Sequence, residues 1–314
     1  MSLKTIDVHT HLVTSEYYSA LAQTGRLMED GFPCPFWSAE AHRAFMEQTG
    51  ISTCILSVSS PHQMVGAPVD DIQLTRELNN TMAELSHSEP ERFRFAACLP
   101  LPMMEESVEE ACRALDELGA VAVKFPTNAD GVYPGDPRLD PLMDALNERS
   151  AVVLLHPCKP PAVPAGCSTA KPLPLFEFLG DTTRAVINLL TQNAAERWPN
   201  VRYVVPHMGS FLPPLVDRLA GITRILASQG LGTAVEPRKA LGNFYFDLAG
   251  NALDACIAGL LTITTPDHLL FGGDFPYTPA PLISENIRKL REHPLTAPHL
   301  DDILEHNAAK LFRL

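Results

Sequence analysis

Eight short apolar runs punctuate the chain, at 3–11, 52–59, 93–99, 121–125, 151–156, 201–207, 243–248 and 268–273. Runs of this length, bounded by turn residues, read as strands, and AVVLLH at 151–156 is apolar up to its closing histidine. Between the runs, apolar residues recur at helical spacing, which predicts helices over 39–48, 69–87, 105–118, 137–149, 176–192, 213–228, 253–261, 284–291 and 301–312. Gly50 and Gly119 stand where helices should stop, and Asp70-Asp71 opens one at its positive end. The segment 12–40 breaks the alternation. Its Tyr17, Tyr18, Phe32, Pro33, Pro35, Phe36 and Trp37 are too dense in ring and proline for a plain helix, so it reads as a loop excursion, a lid over the mouth of the fold. The Pro-rich stretch 157–174 reads as a loop within the pattern. Strand and helix alternate without a break in composition, which predicts one (β/α)8 barrel over 1–314. Continuous apolar strands suit a parallel sheet buried on both faces. An open doubly wound sheet would carry a Gly-rich phosphate turn after its first strand, and there is none.

Composition narrows the function. With 46% hydrophobic residues in 314 positions, the chain can bury a full barrel core. It has no apolar stretch of the length a membrane span needs and no basic-then-apolar leader, so neither a span nor secretion is expected. A net charge of −13 argues against a nucleic-acid partner and leaves any anionic substrate dependent on local positive charge. The seven cysteines are scattered, odd in number and free of any Cys-x-x-Cys pair, which fits reduced thiols and a cytoplasmic setting. Cys158, close to His156, reads as a small buried side chain.

The candidate chemistry sits at strand ends. His9 and His11 lie two apart on the first strand, so both rings point the same way. The fifth strand ends in His156, the sixth in His207, and the eighth runs into Asp274. In a barrel all strand carboxyl ends meet at one face, which carries the active site. These nitrogen and oxygen donors from four distant strands therefore converge, and together they predict a metal site. His42, His87, His293, His299 and His306 fall in helices or polar loops and read as solvated, His62 can approach the mouth, and His268 begins its strand at the opposite end.

These pieces resemble the amidohydrolase superfamily, and within it the branch of aminocarboxymuconate-semialdehyde decarboxylase and the aromatic-acid decarboxylases. The matching motifs are IDVHTH, PERFRF, LLHP, PHMGSFLPPLVDR, GGDFP and HNAAKLF, from one end of the chain to the other. The resemblance implies one divalent ion on His9, His11, His156 and Asp274, zinc by its donor set with manganese as the rival. It implies that His207 is the acid–base residue, that Arg218 binds substrate carboxylate, sometimes in a partner's site, and that the chain is a homodimer. The muconate enzyme carries an arginine just ahead of the tryptophan in its first loop. Here Trp37 follows Phe32-Pro33-Cys34-Pro35-Phe36, an uncharged wall that suits a less charged ring, with Phe32 and Trp37 as contacts. The family's glycine pair after the sixth strand is Gly209-Ser210 here. Lys124, on the fourth strand, is either a substrate contact, a residue of the helix layer, or a carbamate bridging two ions as in other branches of the superfamily.

The expected reaction is therefore non-oxidative decarboxylation of an ortho-hydroxybenzoate or a muconate-type acid, with His207 or Asp274 supplying the proton. The same ligands serve hydrolysis of a lactone or amide, the alternative reading, or a hydratase. A metal-binding scaffold without turnover is the reading from outside enzymology.

Overall fold

The computed structural model describes residues 4–163, 172–250 and 253–314. Cys167 and part of the expected 157–174 loop lie outside the described residues. Eight parallel strands follow one another in sequence order around the sheet. They are β1 (Ile6–Leu12), β2 (Thr53–Val58), β3 (Phe93–Ala97), β4 (Ala122–Pro126), β5 (Val152–His156), β6 (Arg202–Val205), β7 (Phe244–Asp247) and β8 (Leu269–Leu270). Backbone bonds from Val8 N to Phe271 O (3.0 Å) and from His11 N to Phe275 O (2.8 Å) join the last strand to the first. The result is a (β/α)8 barrel.

The helical layer comprises α1 (Ser15–Gln23), α2 (Ala39–Thr49), α3 (Asp71–Ser88), α4 (Met104–Asp116), α5 (Asp140–Glu148), α6 (Glu177–Thr191), α7 (Ala194–Arg197), α8 (Leu212–Ser228), α9 (Pro237–Ala240), α10 (Leu253–Leu260), α11 (Ala280–Glu292) and α12 (Asn307–Phe312). No described helix is long and apolar enough to cross a membrane. Helix α1 corrects the expectation of an unbroken loop over 12–40. Thr14 caps it by accepting from Tyr17 N, and Tyr17, Ala20 and Leu21 form its buried face. Only the residues that follow have the irregular backbone that their glycine and proline content requires.

Two apolar layers hold the barrel. The outer one lies between strands and helices and includes Leu56, Phe95, Val123, Phe125, Val153, Tyr203 and Phe246. The inner one fills the barrel with Ile6, Val8, Ile55, Ala96, Ala122, Leu154, Val204 and Leu270, and also contains Ala308 and Phe312 of α12. Alternation along each strand assigns these faces. It also carries Lys124, two residues beyond Ala122, into the barrel and not into the helix layer.

In β1 the alternation is broken on purpose. Pairing with β2 shifts between Asp7↔Cys54 and Thr10↔Leu56, which inserts one extra residue on β1. Val8 and His9 form the bulge, so Ile6 and Val8 face the barrel interior and His9 and His11 face the same side above them.

Closure between β8 and β1 is tight enough to need glycine. A Cβ on Gly273 would stand 2.4 Å from the buried Asp7 Oδ2 and 3.2 Å from Ile283 Cδ1. Gly273→Ala is therefore expected to destabilise the fold by about 1–3 kcal/mol through overpacking. Gly221→Ala, inside α8 with nothing within 4 Å of the added carbon, should be neutral or stabilising by up to ~1 kcal/mol. Thermal unfolding of both variants checks the contrast in sign.

Candidate metal centre

His9 and His11 on β1, His156 at the end of β5 and Asp274 after β8 each offer one ligand atom, all within 4.8 Å of one another. The imidazoles meet edge to face, with ring centroids 4.9 Å apart for His9 and His11 and 4.6 Å for His11 and His156. Asp274 Oδ1 stands 3.2 Å from His11 Nε2 and 3.6 Å from His9 Nε2.

All three rings are held in one tautomer. Nδ1 of His9 donates to Asp247 Oδ2 at 2.8 Å. Nδ1 of His156 faces the Pro157 carbonyl at 2.9 Å, which can only accept. Ser57 gives its hydroxyl proton to Thr10 O, so at 3.0 Å it accepts from His11 Nδ1. With Nδ1 so engaged, the neutral form of each ring carries its lone pair on Nε2, the arrangement in which histidine ligates a metal. Nε2 of His9 and of His11 is buried without a hydrogen bond. Two orphaned basic nitrogens beside a carboxylate are costly in a barrel interior, and a divalent cation satisfies all of them at once. The residues fit the ion.

Electrostatics set His9 apart from the other two rings. Burial holds His11 down to about 4 and lowers His156 well below the usual range, so both stay neutral, the ligating form. Burial also opposes charge on His9, but Asp247 outweighs it and raises this ring to about 9. Burial works against the Asp274 carboxylate too, yet His11, His207 and His9 hold it well below 3.8.

Two more aspartates frame the ligands, and neither was legible as a site residue. Asp247, the last residue of β7, also accepts from His207 N at 3.0 Å and Ala249 N at 3.1 Å. Asp7 accepts from the backbone of His9 (3.0 Å) and of Gly273 (2.9 Å), which ties β1 to the segment that carries Asp274. Burial raises Asp7 to about 7. The polar end of NFYFDL was the available signal for Asp247, and IDVHTH contained Asp7.

His207 stands beside the ligands. Its ring lies 5.1 Å from that of His9, and Nε2 is 3.8 Å from Asp274 Oδ2. Its side chain keeps 18% of its exposure, against 4% and 1% for His9 and His11. It lines a cavity of about 240 Å³ together with His156, Asp274, Phe32, Phe178, Tyr277 and others. Among the described residues no lysine or arginine lines this cavity.

Three expected substrate contacts lie elsewhere. Trp37 lines a separate groove with Phe36 and Thr14, and its indole N–H donates to His42 Nδ1 at 3.0 Å. His42 is itself a correction: it is fully buried, packed on Phe45, Phe93 and Phe275, because it sits on the inward face of α2. Lys124 is buried under the ligands, where Nζ donates to Ser59 O at 3.5 Å, and burial lowers it to about 8. Arg218 is exposed on α8, outside the cavity of its own chain. Of the remaining histidines, His62 is buried at the mouth beside Lys159 and Asn128, and His268 stacks on Tyr245 at the opposite end of its strand. Cys158 is buried and bonded to Asn128.

Comparison with known proteins bears on this geometry. The 6-methylsalicylic acid decarboxylase acuB of Aspergillus aculeatus is 31% identical over 316 residues, spanning 98% of this chain and 95% of that one. A crystal structure described as amidohydrolase II superposes with a TM-score of 0.93 at 33% identity, covering 99% of this chain and 100% of that one. A 5-carboxyvanillate decarboxylase of Novosphingobium aromaticivorans, complexed with manganese and 4-hydroxy-3-methoxy-5-nitrobenzoic acid, shares the fold at a TM-score of 0.84 and 20% identity, covering 100% of this chain and 97% of that one. The amidohydrolase family model matches residues 6–314, and the chain belongs to that family.

Proposed function

We propose that this barrel, taken as one domain over 1–314, is a metal-dependent decarboxylase of a small ortho-hydroxybenzoate. The observation that carries the reading is the cavity. A ligand set and an acid–base histidine open onto about 240 Å³ of mostly apolar wall, below the range of about 300–1,000 Å³ for drug-sized ligands and suited to a single ring. The 6-methylsalicylate decarboxylase relative supports the same substrate class.

His9, His11, His156 and Asp274 would hold one divalent ion, zinc by donor type, with manganese supported by the carboxyvanillate enzyme. When bound, the ion supplies Lewis acidity and a grip on substrate oxygens. The chain does the rest. Phe32, Pro157, Phe178 and Leu179 exclude water from the ring. Decarboxylation exchanges a carboxylate for one proton at the ring carbon, releasing CO₂. His207 Nε2 faces both the cavity and Asp274 Oδ2, so this pair holds the proton and delivers it. A second carboxylate on the substrate would meet no described basic side chain in the wall, and burying it unpaired costs several kcal/mol.

The homodimer rests on α8. Ile222, Ile225 and Leu226 of this helix and Leu231 just beyond it are exposed, an apolar face that a second copy would cover. Arg218 is exposed on the same helix, so a partner copy is what would bring it to a site. The cytoplasmic setting is supported by the six described cysteines, all free thiols.

Elemental analysis should find one ion per chain, and two would promote Lys124 to a bridging role. His207→Ala is expected to keep most of the metal while kcat falls by about 10² or more, the loss typical of an acid–base group. If metal is lost as well, His207 is a ligand. On metal-loaded protein, kcat/KM should favour a monocarboxylic ortho-hydroxybenzoate over a muconate-type dicarboxylate. A preference for the dicarboxylate would overturn the substrate class. Turnover of neither, with brisk lactone hydrolysis, would assign the hydrolase.

A further inference from the structure

Among the described residues, Asp247 is the side chain that touches both a ligand and the backbone of the acid–base residue. Its Oδ2 faces His9 Nδ1 at 2.8 Å. Its Oδ1 accepts from two backbone groups, His207 N at 3.0 Å and Ala249 N at 3.1 Å. The carboxylate is buried, with 4% of its side chain exposed, and a Cβ on Gly272 would stand 3.2 Å from its Cβ and Cγ, so the backbone after β8 packs directly against it. His207, whose N–H it holds, has φ +55°, a left-handed conformation that a histidine keeps only when its surroundings impose it.

We infer that Asp247 is a positioning residue with two separable tasks: one oxygen fixes the tautomer that turns His9 Nε2 toward the metal, and the other clamps His207 in the conformation that aims its ring into the cavity. The inference rests on the metal-centre reading above and adds a residue to it. It explains why a carboxylate is needed. A carboxylate offers an acceptor on each side, whereas a carboxamide offers one acceptor oxygen and one NH₂ donor. In Asp247→Asn the oxygen can serve the ring or the two backbone N–H groups, but not both. Two donors against one favour keeping the backbone bonds. The NH₂ then meets His9 Nδ1, which must become the acceptor, and the ring proton moves to Nε2, where it blocks ligation. Asp247→Ala removes both tasks.

The two variants therefore separate. Titrating metal-free protein with Mn²⁺ alone, followed by calorimetry, should show binding weakened by about 10–100-fold in Asp247→Asn, the usual effect of removing a histidine ligand's hydrogen-bond partner. Its metal-free melting curve should stay close to that of the unaltered protein. With Mn²⁺ saturating, Asp247→Asn should recover most of its kcat on 6-methylsalicylate, because its oxygen still clamps His207. Asp247→Ala should remain low by up to about 10²-fold at the same saturation, the cost of a misplaced catalytic group. Unaltered Mn²⁺ affinity in Asp247→Asn would overturn the first task, and full recovery of Asp247→Ala would overturn the second. Should Asp247→Ala fail to fold, a saturated Asp247→Asn that stays inactive overturns the clamp and one that recovers supports it. Absence of Mn²⁺ binding to the unaltered protein would instead defeat the metal-centre reading.

Discussion

Three carboxylates surround one imidazole. His9 receives Asp247 on Nδ1 at 2.8 Å, Asp7 on its backbone N–H at 3.0 Å, and Asp274 at 3.6 Å from Nε2. Burying that much acid in a barrel interior is unfavourable unless each charge is matched. The structure divides the load. Asp7, given only backbone donors, is pushed by burial up to about 7, so it can keep its proton at little cost. Asp247 and Asp274 are also opposed by burial, yet neighbouring imidazoles hold both below the ordinary carboxylate range. The positive charge this requires falls on His9. Metal and proton would compete for the same Nε2, so a divalent cation held there would take over the task that the ring proton performs.

The barrel makes this density possible through two local departures from ideal geometry. Without the bulge in β1, period-two alternation could not place Ile6 and Val8 in the barrel core and His9 and His11 above them on the same side. Without glycine at 273, Asp7 could not lie against the backbone that leads to Asp274. Behind that segment, Phe275 stacks on Phe45 at 4.0 Å and packs against His42, which Trp37 holds by its indole N–H. Trp37 and α2 thus brace the ligand face from outside, whereas Phe32 of the same loop lines the cavity with Pro157, Phe178 and Tyr277.

How far the sequence was legible follows from what each signal depends on. Strands and most helices depend on apolar periodicity, which is local, and they were legible to within a few residues. The candidate site depends on strand ends meeting at one face, so barrel topology alone brought His9, His11, His156 and Asp274 together with His207 beside them. Helix α1 was hidden because the glycines and prolines after Gln23 masked an amphipathic turn ahead of them. His42 was misjudged because polarity on a helix suggests solvent, whereas its place on α2 faces the core. Lys124 followed strand parity into the barrel, where nothing in its neighbours in sequence announced a buried ammonium. Asp247 was illegible for a deeper reason. A single aspartate at the end of an aromatic strand gains meaning only from partners on β1 and after β6, and no spacing along the chain encodes that.

His207 is set apart from His9, His11 and His156 by its backbone, whose positive φ it shares with Asp274 at 64°. After β6 the chain runs through His207, Met208, Gly209 and Ser210 at φ of 55°, 54°, 75° and 55°. Each left-handed residue that carries a Cβ costs on the order of 1–2 kcal/mol, so the turn persists only because its surroundings oppose relaxation. Asp247 holds the first N–H, Met208 is buried at 2% exposure, and Thr183 Oγ1 accepts from Phe211 N at 3.0 Å. At Gly209 a Cβ would come 3.2 Å from Phe246, which accounts for glycine there, and Ser210 takes over the second position of the pair at φ 55° and ψ −121°. An extended path from Val205 would have continued the strand. The left-handed turn instead brings the His207 ring to the cavity edge, with Nε2 3.8 Å from Asp274 Oδ2.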